Sequence, residues 1–242
     1  VKVMSSGGNM TRESNALTSQ YSAAELTIAV TEAHRFGKHV AAHAQNVESI
    51  RACVQAGVDT LEHCLWRNSD GSYAPTSELV ELLEGSDAAV VITMAGIARV
   101  LLSSAHEPDP VMLAAGRAAS PTGPLAADFA WGRALHEAGG NVVVASDAGV
   151  RFTPFRDFVS SVECTVEGLG VTPALAVAMS TSHAARAIGL ADEVGSVVPG
   201  LRADLTVLRP SNNEGEIGTV RDVYQGGRLV VADGQLVVPA LA

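Results

Sequence analysis

The chain has 242 residues, of which 47% are hydrophobic and 17% are charged, and its formal net charge is −10. This composition predicts a folded protein with a substantial core and argues against disorder. The acidic balance, without any Lys/Arg cluster, argues against binding to nucleic acid or to an anionic membrane surface. The most apolar stretch, AAVVITMAGIARVLL, is too short to span a bilayer and contains Arg99.

Alternating strands and helices are predicted over the first hundred residues. A short strand, VKVM, precedes a helix that begins at Ser22, where Ser22 and Glu25 form a capping box, and ends at Gly37. Then follow the strand HVAAH, the helix VESIRACVQAG, the strand VDTLEHC, the helix TSELVELLEG and the strand AAVVITM. Strands that are apolar on both faces and separated by helices are typical of a parallel sheet.

The pattern is less regular in the middle of the chain. Residues 97–140 are predicted to be helical in at least two pieces, broken around Pro121 and Pro124. The strand NVVVAS follows, and then helices over 154–168 and 172–189. Five βα units are counted in this way, which predicts a parallel α/β domain over residues 1–190.

The last fifty residues have a different character. The stretches DLTVLRP and TVRDVYQGGRLVVADGQLVV contain short alternating strands with Gly-Gly and Asp-Gly turns, which indicate a hairpin with a further strand. Residues 191–242 are therefore predicted to form a small antiparallel β domain. The three cysteines, Cys53, Cys64 and Cys164, are odd in number and far apart, so they favour a reducing compartment and a cytoplasmic location.

Candidate metal ligands stand at the carboxyl ends of three predicted strands. His43 ends HVAAH, His63 ends VDTLEH, and Asp147 follows VVVAS. A lone histidine at a strand end is more often a hydrogen-bonded core residue, and SDAG alone is compatible with an ordinary turn. Because the carboxyl ends of parallel strands meet at one edge of the sheet, the combination favours a site for zinc or a similar divalent ion.

Several stretches together resemble the C-terminal part of the metal-dependent amidohydrolases, in the branch with imidazolonepropionase-like and Xaa-Pro dipeptidase-like enzymes. These stretches are VKVMSSGG, EAHRFGKHVAAHAQNVESIRACVQAGVDTLEHC, VVVASDAG and AARAIGLADEVGSVVPGLRADLTVL. They occur in the order of the family and span nearly the whole chain. The resemblance implies strands four to eight of a (β/α)8 TIM barrel and the C-terminal strands of a small β-sandwich domain.

The resemblance also implies a site and a reaction. His43 and His63 would be metal ligands, Asp147 would be both a ligand and the proton shuttle, and Lys2 would bridge two metals as an N-carboxylate. The metal would be divalent, with zinc favoured, in one or two ions per complete site. The implied activity is hydrolysis of an amide or peptide C–N bond, and the substrate would be a small amide or a dipeptide.

The N-carboxylate role would explain why a lysine, Lys2, stands in an apolar strand. An ammonium has three donors and no lone pair, so it cannot bind a metal, whereas the carbamate formed with carbon dioxide offers two anionic oxygens. The apolar neighbours favour this reaction because they lower the pKa of the amine. A lysine that extends into solvent from a frayed strand is the alternative.

Further residues are candidates for contact with substrate. Arg151 could hold a substrate carboxylate, with a plain surface salt bridge as the alternative. Trp66 and Arg67 follow the third strand and are expected to line the pocket. Thr93 ends the next strand, and His106 lies in the loop region beyond it.

One part of the family pattern is missing. None of the seven histidines forms the His-x-His pair that the first barrel strand of the family supplies. We therefore expect a fragment, a truncated gene product or one piece of a cleaved enzyme, whose partner is the N-terminal half of the barrel or another copy of the chain. An inactive partial barrel that acts only through association is the alternative from another class, and a phosphate-binding barrel enzyme without metal is a third.

Overall fold

Five parallel strands form the main sheet, in the order β1-β2-β3-β4-β5. The computed structural model describes residues 1–8, 12–72, 76–93, 130–150, 153–155, 158–212 and 216–237. The strands are β1 (Lys2–Met4), β2 (Ala41–Asn46), β3 (Thr60–Arg67), β4 (Ala89–Ile92) and β5 (Val142–Val144). The predicted α/β architecture with a parallel sheet is thus confirmed.

Seven helices accompany the strands within the described ranges. They are α1 (Ala23–Arg35), α2 (Val47–Ala56), α3 (Ser77–Glu84), α4 (Ala130–Glu137), α5 (Phe158–Leu169), α6 (Pro173–Ser180) and α7 (Ser182–Ala187). Of the segment predicted to be helical over 97–140, residues 97–129 lie outside the described residues, and α4 lies in the remainder. The helix predicted over 172–189 is divided at Thr181, whose hydroxyl and that of Ser180 donate to carbonyls four residues earlier, a pattern that bends helices.

Side chains at the helix starts explain where α1 and α2 begin. The predicted capping box of Ser22 and Glu25 is present at α1. Asn46 and Ser49 form a second box at α2, and Asn46 also donates from Nδ2 to the carbonyl of Ala16 at 2.9 Å. Since Asn46 ends β2 and caps α2, the chain passes from strand to helix without a loop.

Strand register divides the sheet into two faces. Lys2, Ala41, Thr60 and Ala89 are register partners across four strands, and so are His43, Glu62 and Val91 across three. Residues between them in sequence pack against the helices in the main hydrophobic core, which includes Ala42, Leu61, Val90 and Val142. The first face therefore carries the polar candidates, and the second face holds the domain together.

The two outer strands of the sheet each have one neighbour. In the described part of the chain, β1 pairs only with β2, and β5 pairs only with β4. A closed barrel has no such edges, so the described sheet is open, and its sequential strand order is consistent with part of a barrel.

A second sheet follows the helices. It is antiparallel, in the order β6-β7-β8-β9, with strands Leu205–Arg209, Thr219–Gln225, Arg228–Ala232 and Gln235–Leu236. The predicted hairpin is present as β7 and β8. A second layer that would complete a β-sandwich is not found among the described residues, so the sandwich and the domain division at residue 190 stay predictions. No helix within the described ranges has the length and apolarity needed to cross a membrane.

Candidate functional site

Two of the predicted metal ligands lie side by side at the carboxyl edge of the parallel sheet. The rings of His43 and His63 meet edge to face, with their centroids 4.7 Å apart. His43 lies on β2 and is 7% exposed, while His63 lies on the neighbouring strand β3. The sequence separation of twenty residues is thus closed by strand pairing.

The backbone of β3 turns His63 toward His43. In regular alternation His63 would share a face with Leu61 and point to the helices. Its φ of 68°, followed by φ values of 49° at Cys64 and 46° at Trp66, places three non-glycine residues in the left-handed region. The pairing of β2 with β3 shifts there as well, because Ala44 pairs with His63 and Asn46 pairs with Arg67. Such an irregularity re-aims side chains, and left-handed residues of this kind cluster at functional sites.

Each imidazole has one nitrogen held by the protein. His43 donates from Nε2 to the carbonyl oxygen of Gly7 at 3.1 Å, so Nδ1 of the neutral ring carries the lone pair. Nδ1 of His63 bonds to the hydroxyl of Thr93, which leaves Nε2 for another ligand. Metal-binding histidines commonly show this arrangement, in which the second ring nitrogen is fixed by a carbonyl or a polar side chain.

Burial keeps both imidazoles neutral. It lowers the pKa of His63 to about 3, and the charges of His43 and Lys2 act in the same direction. Burial also lowers the pKa of His43, although the bond to Gly7 acts against it. Near neutral pH both rings therefore offer a lone pair rather than a positive charge.

Lys2, at the start of β1, and Asp147, in the loop after β5, are close enough for the charge of each to shift the pKa of the other. Lys2 remains largely exposed on the edge strand β1, yet partial burial lowers its pKa, while the negative charges of Glu62 and Asp147 act in the opposite direction. Burial raises the pKa of Asp147, and the charge of Lys2 lowers it. Asp147 itself has a φ of 52°, in a loop where its carbonyl accepts from the hydroxyl of Thr153 at 3.0 Å.

The donor chemistry fits a divalent ion, but the ligands are not assembled as one cluster. Two neutral imidazoles are good ligands for zinc, and a carboxylate would complete such a set. Within the described ranges, no three His, Cys, Asp or Glu side chains come close enough together to hold a metal. The structure thus brings His43 and His63 together, and it connects Lys2 and Asp147 by charge but not as members of the same cluster.

The other predicted site residues lie in different environments. Thr93 contacts His63 rather than open space. Trp66 is fully buried, 5.5 Å from Trp131 between ring centroids, and donates to the Sγ of Cys64, so the structure places it in the core. Arg67 is 4% exposed at the end of β3. Arg151 and His106 lie outside the described residues.

Two further residues beside the candidate site were not predicted from the sequence. Gly7 holds His43 through its carbonyl oxygen, and a backbone acceptor leaves no signal in residue type. Glu62 is the register partner of His43 and accepts from the hydroxyl of Thr60 at 2.6 Å. Regular alternation from the core residue Leu61, its neighbour in sequence, would have placed Glu62 on the face of His43.

Known proteins resemble nearly all of this chain. Ochratoxinase of Aspergillus niger is 29% identical over 249 residues, which cover 97% of this chain and 46% of that protein. Imidazolonepropionase of Geobacillus kaustophilus is 33% identical over 111 residues, which cover 44% of this chain and 26% of that protein. The chain therefore spans about half or less of the length of these relatives.

Solved structures agree with the sequence relatives. The crystal structure of A. niger ochratoxinase matches with a TM-score of 0.73 and 26% identity, over 97% of this chain and 51% of that chain. A Bifidobacterium longum protein described as a prolidase matches with a TM-score of 0.77 and 27% identity, over 98% and 56% of the two chains. The sequence profile of the Amidohydrolase family matches residues 1–230. This match covers nearly the whole chain and agrees with the parallel sheet and the adjacent strand-end histidines, so the chain belongs to the amidohydrolase family.

Proposed function

We propose that this protein hydrolyses an amide or peptide C–N bond of a small molecule with the help of a bound divalent metal. The observation that carries the proposal is the contact between His43 and His63, two neutral imidazoles. Nε2 of His43 is held by Gly7 and Nδ1 of His63 is held by Thr93, so each ring keeps one free nitrogen for a metal. Membership of the amidohydrolase family supports a hydrolase in general. The relatives named ochratoxinase, imidazolonepropionase and prolidase support this reaction class without choosing a substrate.

The metal would be held by His43 and His63, together with Asp147 and a carboxylated Lys2. When bound, a divalent ion of this kind lowers the pKa of a water molecule and polarises a carbonyl group. Zinc is the ion that an imidazole-rich set with a carboxylate favours. One or two ions are compatible with these donors.

Lys2 would take part as an N-carboxylate. The neutral amine attacks carbon dioxide, an N–C bond forms, and the nitrogen releases a proton to solvent. Partial burial lowers the pKa of Lys2, which increases the neutral fraction that can react. The product replaces a cation by an anion with two ligand oxygens.

Asp147 would move the proton during hydrolysis. Its carboxylate accepts a proton from the attacking water and delivers it to the departing nitrogen, as general base and then general acid. Burial raises the pKa of Asp147, which brings it closer to the pH at which both roles are served.

The substrate is proposed as a small amide or, as the alternative, a dipeptide of the Xaa-Pro type. Arg151, Arg67 and His106 remain the proposed lining residues. Thr93 would act through His63, and Trp66, which packs in the core, would support the site from behind. A second function, in which a partial barrel acts only by association, is supported by β1 and β5, each of which pairs with a single strand in the described structure.

Metal analysis and turnover test the proposal together. The purified protein is stripped with a chelator, reloaded with zinc, and offered a panel of N-acyl amino acids, neutral amides and Xaa-Pro dipeptides. We expect H43A and H63A to lose bound zinc and D147N to keep zinc while losing turnover by about 10²-fold or more, as removal of a general base does. H39Q is the matched control, since His39 is exposed and lies outside the candidate site. Full turnover by D147N, together with no zinc in the unmutated protein, would contradict the proposal.

A further inference from the structure

Arg67 is a buried cation with unused hydrogen-bond donors. The residue is 4% exposed, and its Nε and Nη2 atoms are buried with no hydrogen-bond partner. The contrast with other arginines is clear. Five arginines of the described ranges have a carboxylate partner within 4.0 Å, and these are Arg35, Arg51, Arg202, Arg209 and Arg221. Arg133 also has a buried Nε without a partner, but its Nη2 donates to the carbonyl of Gly168 at 2.7 Å.

Such a group is expensive to bury. A guanidinium removed from water without a counter-ion destabilises the folded state unless an anion or a set of acceptors replaces the water. Within the described part of the chain, no carboxylate forms an ion pair with Arg67. Native proteins satisfy nearly all buried polar groups, so an orphaned pair of donors on a buried charge indicates a ligand that is absent from the folded chain alone.

Arg67 lies at the carboxyl edge of the sheet, the edge that also carries the candidate site. It is the last residue of β3, four residues after His63, and it pairs in register with Asn46 at the end of β2. His43 and His63 lie at the same carboxyl edge of these two strands. In parallel α/β folds, ligands bind at this edge.

The two orphaned atoms define the chemistry of the ligand. In a planar guanidinium, the Nε–H and the neighbouring Nη2–H point in parallel, and this side of the fork matches the two oxygens of a carboxylate. A neutral amide offers one carbonyl oxygen and cannot satisfy both donors while also neutralising the charge.

We propose that Arg67 binds the carboxylate of the substrate, so that the protein acts on amides that carry a free carboxylate, such as N-acyl amino acids and dipeptides. This inference rests on the proposed function, because it identifies the substrate class of the same site. Arg67 is a specificity-determining residue here, and it takes no part in proton transfer. Arg67, at the end of β3, would favour amide substrates that carry a negative charge close to the bond that is cleaved.

Binding to the metal-free protein tests the inference apart from catalysis. The protein is stripped with a chelator, and titration calorimetry measures N-acetyl-L-alanine, N-acetyl-L-alaninamide and inorganic phosphate. We expect the carboxylate probe to bind at least about tenfold more tightly than the amide probe, as charge-assisted pairs do. R67Q should remove this preference, R67K should retain part of it, and R51Q, which loses a surface ion pair, should leave it unchanged.

Thermal unfolding separates this role from a structural one. R67Q removes an unpaired buried charge, so its melting temperature should equal or exceed that of the unmutated protein, and N-acetyl-L-alanine should raise the melting temperature of the unmutated protein only. An unchanged carboxylate preference in folded R67Q would overturn the inference, as would tighter binding of phosphate than of N-acetyl-L-alanine. A carboxylate preference that R67Q removes, in a protein that hydrolyses nothing when zinc is restored, would instead uphold Arg67 and reject the proposed function.

Discussion

Gly7 links the loop after β1 to the candidate site through two contacts. Its carbonyl oxygen accepts from His43, and its own amide donates to the carbonyl of Thr18 at 3.2 Å. A Cβ atom at position 7 would lie 2.2 Å from the carbonyl oxygen of Asn15, which is backbone and cannot rotate away. The absence of a side chain therefore allows the loop to approach and sets the orientation of an imidazole.

The substitution G7A should destabilise the protein and weaken metal binding. The loop must shift, which costs about 1–3 kcal/mol in overpacked sites, and the acceptor for His43 moves with it. Urea unfolding and competition with a chromophoric zinc chelator measure the two effects. G8A is the control for stability, because a Cβ there meets its nearest atoms, Nε2 of His43 and Cε of Met4, at an ordinary contact distance of 3.8 Å. Equal stability of G7A and G8A would show that the loop gives way freely.

Thr93 offers a second test of imidazole orientation. T93V keeps the shape of the side chain and removes the hydroxyl that bonds to Nδ1 of His63. We expect zinc affinity to fall about 10- to 100-fold, which is the usual effect of losing such a partner. T93S should restore most of the affinity. If T93V binds zinc as tightly as the unmutated protein, His63 is oriented by its backbone alone.

At the scale of elements, side chains at strand ends organise the next helix. Asn46 is 2% exposed, accepts from the amide of Ser49 and donates to the carbonyl of Ala16. Ser22 caps α1 in the same way, but in an exposed position. The same capping motif is thus worth more where its partners are shielded from water.

The cap of α2 should accordingly be more sensitive than the cap of α1. N46A should lower the free energy of unfolding by about 2 kcal/mol, the upper end for a cap, whereas S22A should lower it by about 1 kcal/mol. Urea titrations of both variants measure the difference. A larger loss in S22A would contradict the importance assigned to burial.

Asp59 connects α1 to the start of β2. Its carboxylate bonds to Nε2 of His34 at 2.8 Å and accepts from the amide of Val40 at 2.6 Å. Burial alone would raise the pKa of Asp59, but these hydrogen bonds and the charges of His34 and His39 bring it below its ordinary value. The folded state therefore holds the ionised form more strongly than the unfolded state does.

This linkage predicts a dependence of stability on pH. Because the folded pKa is below the unfolded value, the contribution of Asp59 is fully present above about pH 4 to 5 and is lost as the pH falls through the folded pKa. Melting temperatures from pH 7 to pH 3 should fall less steeply for D59N than for the unmutated protein. D192N, which changes an exposed aspartate, should follow the unmutated curve. Parallel curves for D59N and the unmutated protein would exclude this role for Asp59.

The whole molecule has a parallel sheet with two outer strands that each lack a second neighbour in the described structure. Unpaired strand edges present rows of backbone donors and acceptors that favour pairing with another chain. We propose that these edges are covered by the complementary half of a barrel or by another copy of this chain.

Light scattering should therefore give a mass above that of one chain. Intact mass spectrometry under denaturing conditions then separates the two partners, since a complementary half appears as a second polypeptide and a homo-oligomer does not. A single monodisperse species with the mass of one chain, over a wide concentration range, would reject both.

Much of the fold and part of the site could be predicted from the sequence, for local reasons. The alternation of apolar strands with amphipathic helices predicts the parallel sheet, and the capping box at Ser22 places the start of α1. The strand ends that carry His43 and His63 lie at the same edge of a parallel sheet, so the sequence predicts this common edge but not the direction of each ring. The resemblance carried by these stretches was sufficient to identify the family.

The tertiary structure alone decided how the site residues are aimed. Left-handed backbone at His63 and Trp66 has no signature in these residue types, and it turns His63 toward His43. The carbonyl of Gly7 meets His43 across 36 residues, which no local pattern records. Whether an arginine has a counter-ion likewise depends on every chain segment around it, so the sequence around Arg67 does not predict that it lacks one. Local propensity determines the elements, whereas the conformation and contacts of each site residue arise from packing between distant segments.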